Sequence, residues 1–188
     1  MTSSDHLRTR IDASLRAIAF VRDATDDIAR IAAAVRERVR NGGTIYTAGN
    51  GGSAAEALHL SEELIGRYCR DRGPIASVCL NADPTAITCI ANDFGFDQIF
   101  ARPTKALVKD GDVLVLFSTS GNSANLLAAL EACSGRDVLT LGLLGRDGGL
   151  CAQQCAESII IPEEHSAPIQ EAHQVVMHLL CEALDDLG

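Results

Sequence analysis

The chain contains no tryptophan, and aromatic residues make up only 4% of it. A nucleic-acid platform built on stacked bases needs more of them. Lysine is nearly missing too: Lys105 and Lys109 stand among 16 basic residues, the rest arginine. That skew suggests a GC-rich coding sequence and carries no chemistry. Against 25 acidic residues the formal net charge is −9. Such a balance excludes a general phosphate-backbone binder and a binder of anionic membranes. Any anionic ligand must then be held by a local positive site. No apolar run is long enough to span a bilayer, and the polar stretch from Met1 to Arg10 has no signal-type apolar core. The expectation is a soluble cytoplasmic protein with neither a membrane nor a nucleic acid as partner. No CxxC pair occurs among the seven cysteines, which are expected to be small buried hydrophobes in a reducing compartment. Cys151 and Cys155 could face one another on a helix, but no two further soft ligands accompany them for zinc. No Gly-Lys-Ser/Thr follows a glycine-rich loop, so a Walker loop is excluded.

What is present is an ordinary globular balance: 188 residues, 47% hydrophobic and 22% charged. That length favours one domain, residues 1–188, with a full core and no need of staples. Residues 5–41 read as helical. Leu7, Ile11, Leu15, Ile18 and Val21 recur at three- and four-residue spacing, and Ile28, Ile31, Val35 and Val39 repeat it. Asn41-Gly42-Gly43 stops the run. Two helices or one bent helix therefore carry a long apolar stripe, which either covers a sheet or packs on another subunit.

From residue 44 onward, short β-rich runs alternate with helical stretches. The predicted strands are Thr44–Ala48, Ile75–Leu80, Val113–Phe117, Val138–Leu143 and Ser158–Ile161. Helices are predicted near 53–67, 84–92, 96–109, 122–134, 148–155 and 168–186. Continuously apolar strands separated by helices mean a parallel sheet buried on both faces. The predicted fold is therefore an α/β three-layer sandwich: a five-stranded parallel sheet in 44–188, preceded by a helical extension in 1–41. In such folds ligands bind beyond the carboxyl ends of the strands.

Two loops lie at such ends and echo one another. Gly49, Gly51 and Gly52 let the first loop turn tightly, and Ser53 opens the helix that follows. Unpaired N–H groups and the positive end of the helix dipole then point into the loop. Gly49-x-Gly51-x-x-Ala54 also fits a degenerate dinucleotide pattern, but the acidic partner of that pattern is poorly placed, since Asp83 comes late. The second loop is richer. Ser118, Thr119, Ser120, Asn122 and Ser123 put four hydroxyls and an amide at a helix N-terminus, with no Lys or Arg among them. A helix cap needs only one hydroxyl. This set suits a small dianion such as a phosphate monoester.

Taken together, Gly49-Asn-Gly-Gly-Ser53 after a strand and Ser118-Thr-Ser-Gly-Asn-Ser123 after another resemble the SIS (sugar isomerase) domain. His59-Leu-Ser-Glu-Glu63-Leu-Ile-Gly-Arg67-Tyr, Ala91-Asn-Asp93-Phe-Gly-Phe and Ile169-Gln170-Glu-Ala-His-(x4)-His178 narrow the resemblance to the phosphoheptose isomerases. It covers nearly the whole chain. The resemblance implies a homotetramer with active sites between subunits. It implies aldose–ketose isomerisation of sedoheptulose 7-phosphate to a glycero-manno-heptose 7-phosphate. It implies Zn2+ on His59, Glu63, Gln170 and His178, with Glu63 and His178 as the acid/base pair. Asn50, Gly51, Ser53, Arg67, Asp93, Ser118, Thr119, Ser120, Ser123 and Gln170 are the implied substrate contacts. One departure stands out: two residues before Gln170 the family has a basic residue, and here it is Pro168.

The residues themselves carry part of this. Isomerisation through an enediol needs a base, an acid and something to hold the developing oxyanion. His59 and Glu63 are four apart on one helix face and can chelate a divalent ion, although a surface pair has the same spacing. Gln170 and His178 are eight apart, ~80° around and ~12 Å along an ideal helix. One ion, two sites or two subunits all satisfy that spacing, and spacing alone does not choose His178 over His173. Arg67 also fits a charge at a helix C-terminus, and Asp93 a turn residue. Two rival functions remain at this level: isomerisation of a related sugar such as an octulose 8-phosphate in antibiotic assembly, and a non-catalytic SIS-domain regulator. The presence of all four ligand-type residues argues against the regulator.

Overall fold

The computed structural model describes residues 3–187; Met1, Thr2 and Gly188, the outermost residues of the expected domain, lie outside it. Five parallel strands form one sheet in the order β2-β1-β3-β4-β5: β1 Ile45–Gly49, β2 Ser77–Cys79, β3 Val113–Ser118, β4 Leu139–Gly145 and β5 Glu157–Ile161. Thr47 pairs with Val115 and Val115 with Leu141, so the central strands are in register where the chain is most apolar. This is the predicted parallel α/β sheet.

Alternate residues of each strand face opposite sides, and both sides are covered. Ile45, Val113, Val115, Phe117, Leu141 and Leu143 pack on one side against Ile31, Val35, Leu60, Leu64, Val176 and Leu180. Tyr46, Ala48, Leu114, Leu116 and Leu144 pack on the other against Ile99, Phe100, Leu126, Leu130 and Cys151. Complete burial of one such side chain contributes about 1.5–3 kcal/mol. The first side is built by α1 Ser4–Asp23, α2 Thr25–Arg40, α3 Gly52–Ile65 and α8 Ser166–Leu184. The second carries α4 Pro84–Phe94, a 3₁₀ turn Phe96–Gln98, α5 Ala101–Leu107, α6 Ala124–Glu131 and α7 Gly149–Gln154. No helix among the described residues is long and apolar enough to cross a membrane.

Several boundaries move from their predicted positions, each for a local reason. The N-terminal run is two helices. Ser3 caps α1 by accepting from the His6 N–H at 3.2 Å, and the junction at Ala24 returns its own N–H to the Phe20 carbonyl. The predicted helix 96–109 splits at Ile99 and Phe100 into a 3₁₀ turn and α5, and Gly95 at φ 92° separates the turn from α4. The edge strand shrinks to three residues. The last helix starts at Ser166 instead of Pro168, which places the proline third in the first turn, where its missing N–H costs nothing.

Helix α1 leaves most of its apolar stripe off the sheet, one of the two places expected for it. It buries Ala13, Ala17 and Val21. Its expected stripe points elsewhere: Leu7, Ile11 and Leu15 are each more than half exposed and Ile18 39% exposed. The small residues touch the fold, and the large ones face outward. Helix α2 behaves as expected, burying Ile28, Ile31 and Val35. The cysteine expectation also needs correction. Cys79, Cys133, Cys151 and Cys181 are buried, but Cys69 and Cys89 lie on the surface. Burial pushes the Cys151 thiol up to about 11, and those of Cys155 and Cys181 up to about 12, so these three are neutral and unreactive at neutral pH.

Candidate active site

The first loop is held from below by an amide. Asn81, just past β2, accepts from the Gly49 N–H at 3.1 Å and donates to the Gly49 carbonyl at 3.0 Å. Gly51 sits at φ 58°, a left-handed conformation that glycine reaches without strain, and α3 begins at the next residue. Ser53 is buried. Asn50 exchanges two hydrogen bonds with Asn125 of α6, at 2.9 and 2.8 Å. This reciprocal amide pair ties the first loop to the second. Asn125 lies just past the second loop, and sequence reasoning gave it no role. Its signal was an amide two residues beyond Ser123, inside an otherwise apolar helix start.

The second loop spends some of its hydroxyls on its own shape. Ser118 Oγ accepts from the Gly121 N–H at 3.0 Å, and Ser120 Oγ accepts from the Asn122 N–H at 3.2 Å. Thr119 Oγ1 accepts from the Ser166 hydroxyl at 3.2 Å, joining this loop to the start of α8. Asn122 Oδ1 receives the Leu150 N–H. Ser123 occupies the N-cap of α6, yet its side chain makes no capping hydrogen bond. That hydroxyl remains for a ligand at the positive end of the helix dipole.

Helices α3 and α8 lie side by side on the same face of the sheet. His59 and Glu63, one turn apart on α3, meet at 3.2 Å between Nε2 and Oε1. His178 of α8 joins them: the His59 and His178 rings stand edge to face with centroids 5.3 Å apart. One ligand-type atom from each of His59, Glu63 and His178 lies within 4.8 Å of the others. All three are partly buried. Two imidazoles and a carboxylate at this separation are a donor set for a divalent cation. Tyr68, just past α3, stacks on His178 at 5.6 Å. Burial raises its phenol above the ordinary value, so it stays protonated at neutral pH.

The other predicted residues lie apart from this cluster. Gln170 lies against the first loop, where a Cβ added at Gly52 would come within 2.5 Å of its Nε2. Arg67 is exposed just beyond α3. Asp93 is exposed near the end of α4, where it accepts from the Asn92 amide at 2.7 Å. No hydrogen bond or ion pair among the described residues joins either of them to the cluster. His173 points the other way from His178. It is fully buried, its Nε2 3.1 Å from the Leu144 carbonyl and its Nδ1 3.8 Å from Glu56. Both Glu56 oxygens and His173 Nδ1 lack a hydrogen-bond partner. The choice between the two histidines, open in the sequence, is thus decided by helix rotation. Sequence reasoning also missed Gln174, which reaches His59 Nδ1 with Oε1 at 3.1 Å. Its signal was the four-residue repeat Gln170, Gln174, His178 on one helix face.

Fold and loops define a SIS-domain protein: a family model described as the SIS domain matches residues 11–145. A phosphoheptose isomerase of Rhodospirillum rubrum is 44% identical over 169 residues, covering 89% of this chain and 90% of that one. The solved phosphoheptose isomerase of Neisseria gonorrhoeae superposes with a TM-score of 0.90 at 36% identity, covering 96% of this chain and 97% of that one. The one from Francisella tularensis superposes with a TM-score of 0.93 at 32% identity, over 98% and 99%. The chain belongs to the phosphoheptose isomerase family.

Proposed function

We infer that this chain is an aldose–ketose isomerase that interconverts sedoheptulose 7-phosphate and D-glycero-D-manno-heptose 7-phosphate through an enediol. The observation that carries the reading is the convergence of His59, Glu63 and His178 from two helices, α3 opening at the first loop and α8 starting against Thr119 of the second. A protein that only binds a sugar phosphate has no use for that cluster.

His59, Glu63 and His178 suit Zn2+ by the chemistry of the set, and Gln170 is the proposed fourth donor, on the loop side of the same helix. Bound there, zinc supplies a positive charge that polarises substrate oxygens. The chain's own groups do the rest. A carboxylate has two oxygens, so Glu63 can hold a cation with one and take a proton with the other. It removes the carbon-bound proton next to the carbonyl and returns it to the neighbouring carbon. His178 serves the other side, passing the hydroxyl proton between the two oxygens. No oxidant or reductant enters, since one carbon is reduced as its neighbour is oxidised.

The phosphate is assigned to Ser118, Thr119, Ser120 and Ser123 and to the amides that open α6. Asn50, Gly51 and Ser53 approach the substrate from the first loop, and Arg67 and Asp93 are proposed as further contacts. Both are exposed within one chain, as residues completing a site in a neighbouring subunit would be. The exposed row Leu7, Ile11, Leu15 and Ile18 on α1 supports assembly into a homo-oligomer, proposed as a tetramer. A cytoplasmic setting accords with seven free cysteines.

The direct test offers the purified protein a panel of seven- and eight-carbon ketose phosphates and follows aldose formation. Turnover of sedoheptulose 7-phosphate with solvent deuterium entering the product carbon is expected. Turnover confined to an eight-carbon substrate overturns the assignment and points to Pro168, where the family resemblance implies a basic residue. Zinc retained after purification without added metal is the expected companion result.

A further inference from the structure

We propose that Gln174 is a positioning residue: its side-chain oxygen accepts the Nδ1–H of His59 and so commits Nε2 of that ring to a metal ion held with Glu63 and His178. The inference rests on the zinc reading above and deepens it. The contact is 3.1 Å between His59 Nδ1 and Gln174 Oε1, while Nε2 of the same ring is 3.2 Å from Glu63 Oε1. A neutral imidazole carries one N–H and one lone pair, and the partner of one nitrogen determines the role of the other. With Gln174 accepting at Nδ1, the lone pair at Nε2 is directed at the cluster.

Geometry and chemistry agree on why a glutamine serves here. Residue 174 stands four before His178 on α8, so it faces α3 on the same side, one turn away. It is only half buried. An amide oxygen adds no charge to the cluster and leaves the net balance to Glu63. Gln170, the glutamine one turn earlier, does not do this job, since its amide lies against Gly52. The two glutamines therefore divide the helix face: Gln170 attends the first loop, and Gln174 attends His59.

Partners of this kind typically change metal affinity by about 10–100-fold when lost. The experiment compares wild type, Gln174→Leu and Gln174→Glu. Zinc affinity is read by competition with a chromophoric chelator, folding by thermal midpoint, and the His59 ring by nitrogen-15 NMR of the zinc-loaded protein. Gln174→Leu is expected to keep the thermal midpoint of the metal-free protein, to bind zinc ~10–100-fold more weakly, and to lose the protected Nδ1–H signal of His59. Gln174→Glu, which restores an acceptor, is expected to recover wild-type affinity or exceed it. Zinc affinity and the His59 signal both unchanged in Gln174→Leu overturns the role of Gln174 and leaves the metal site standing. Weak binding in both variants also overturns it, because shape at residue 174 then matters and the acceptor does not. A wild type that binds no zinc at all overturns the metal reading and this inference with it.

Discussion

Two histidines five residues apart on α8 have opposite surroundings, and their substitutions should fail in different ways. Glu63→Gln keeps the shape and a donor oxygen but loses the basicity. It is expected to lower kcat by at least about 10² with the fold intact, and His178→Ala by a similar factor with a larger loss of zinc. Steady-state kinetics together with metal analysis check both. From the sequence alone His173→Ala reads as mild. Burial revises that. The variant opens a cavity beside Phe117 and leaves the Glu56 carboxyl facing nothing, a loss on the order of 2–4 kcal/mol in a denaturant titration. If His173→Ala instead folds as well as wild type and abolishes turnover, the assignment to His178 is wrong. The residue types were legible here: His59 and Glu63 at helical spacing, and a glutamine–histidine helix downstream. Which histidine joins His59 and Glu63 was not, because an eight-residue interval fits several rotations of α8.

At the scale of the element, Gln170 of α8 lies against Gly52 at the glycine loop, and that contact can be perturbed without substituting a polar residue. Gly52→Ala places a Cβ against the Gln170 amide. The helix should tolerate alanine, so the fold survives while Gln170 is displaced. KM and kcat should both suffer, and zinc retention should fall if Gln170 is the fourth donor. In the second loop, Ser123→Ala and Ser120→Ala are expected to raise KM by removing hydrogen bonds to a phosphate present in ground and transition states alike. Ser118→Ala should raise KM as well, partly through the loop it braces by accepting from Gly121. Unchanged KM in all three places the phosphate elsewhere. The alternating pattern predicted these loops because glycine and hydroxyl residues follow apolar strands. It did not predict how many hydroxyls the loop spends on itself, since that depends on the turn each residue takes.

For the whole molecule, α1 makes the sharpest prediction. Its exposed Leu7, Ile11, Leu15 and Ile18 form a row that one chain leaves uncovered. Ile11→Glu together with Leu15→Glu should break the assembly in light scattering, and activity should fall with it if sites are shared between subunits. A wild type that is monomeric at micromolar concentration overturns the oligomer. Thiol reactivity offers an independent check of the packing. A thiol reagent should label no more than Cys69 and Cys89 in the native protein and all seven cysteines after unfolding. Rapid native labelling of Cys151 or Cys181 contradicts the burial that raises their thiols.

Period and composition alone determine the parallel sheet, the order of helices and strands, and the two loops, because hydrophobic alternation and turn residues are local properties of a chain. They also specify the donor types His59 and Glu63 on one helix face. Tertiary structure decides the rest. It turns α1 so that alanines face the fold and leucines face outward. It rotates α8 so that His178 and Gln174 meet His59 while His173 turns inward to Glu56. Those outcomes depend on how helices distant in sequence pack side by side on one face of the sheet, and no spacing within any one helix contains that information.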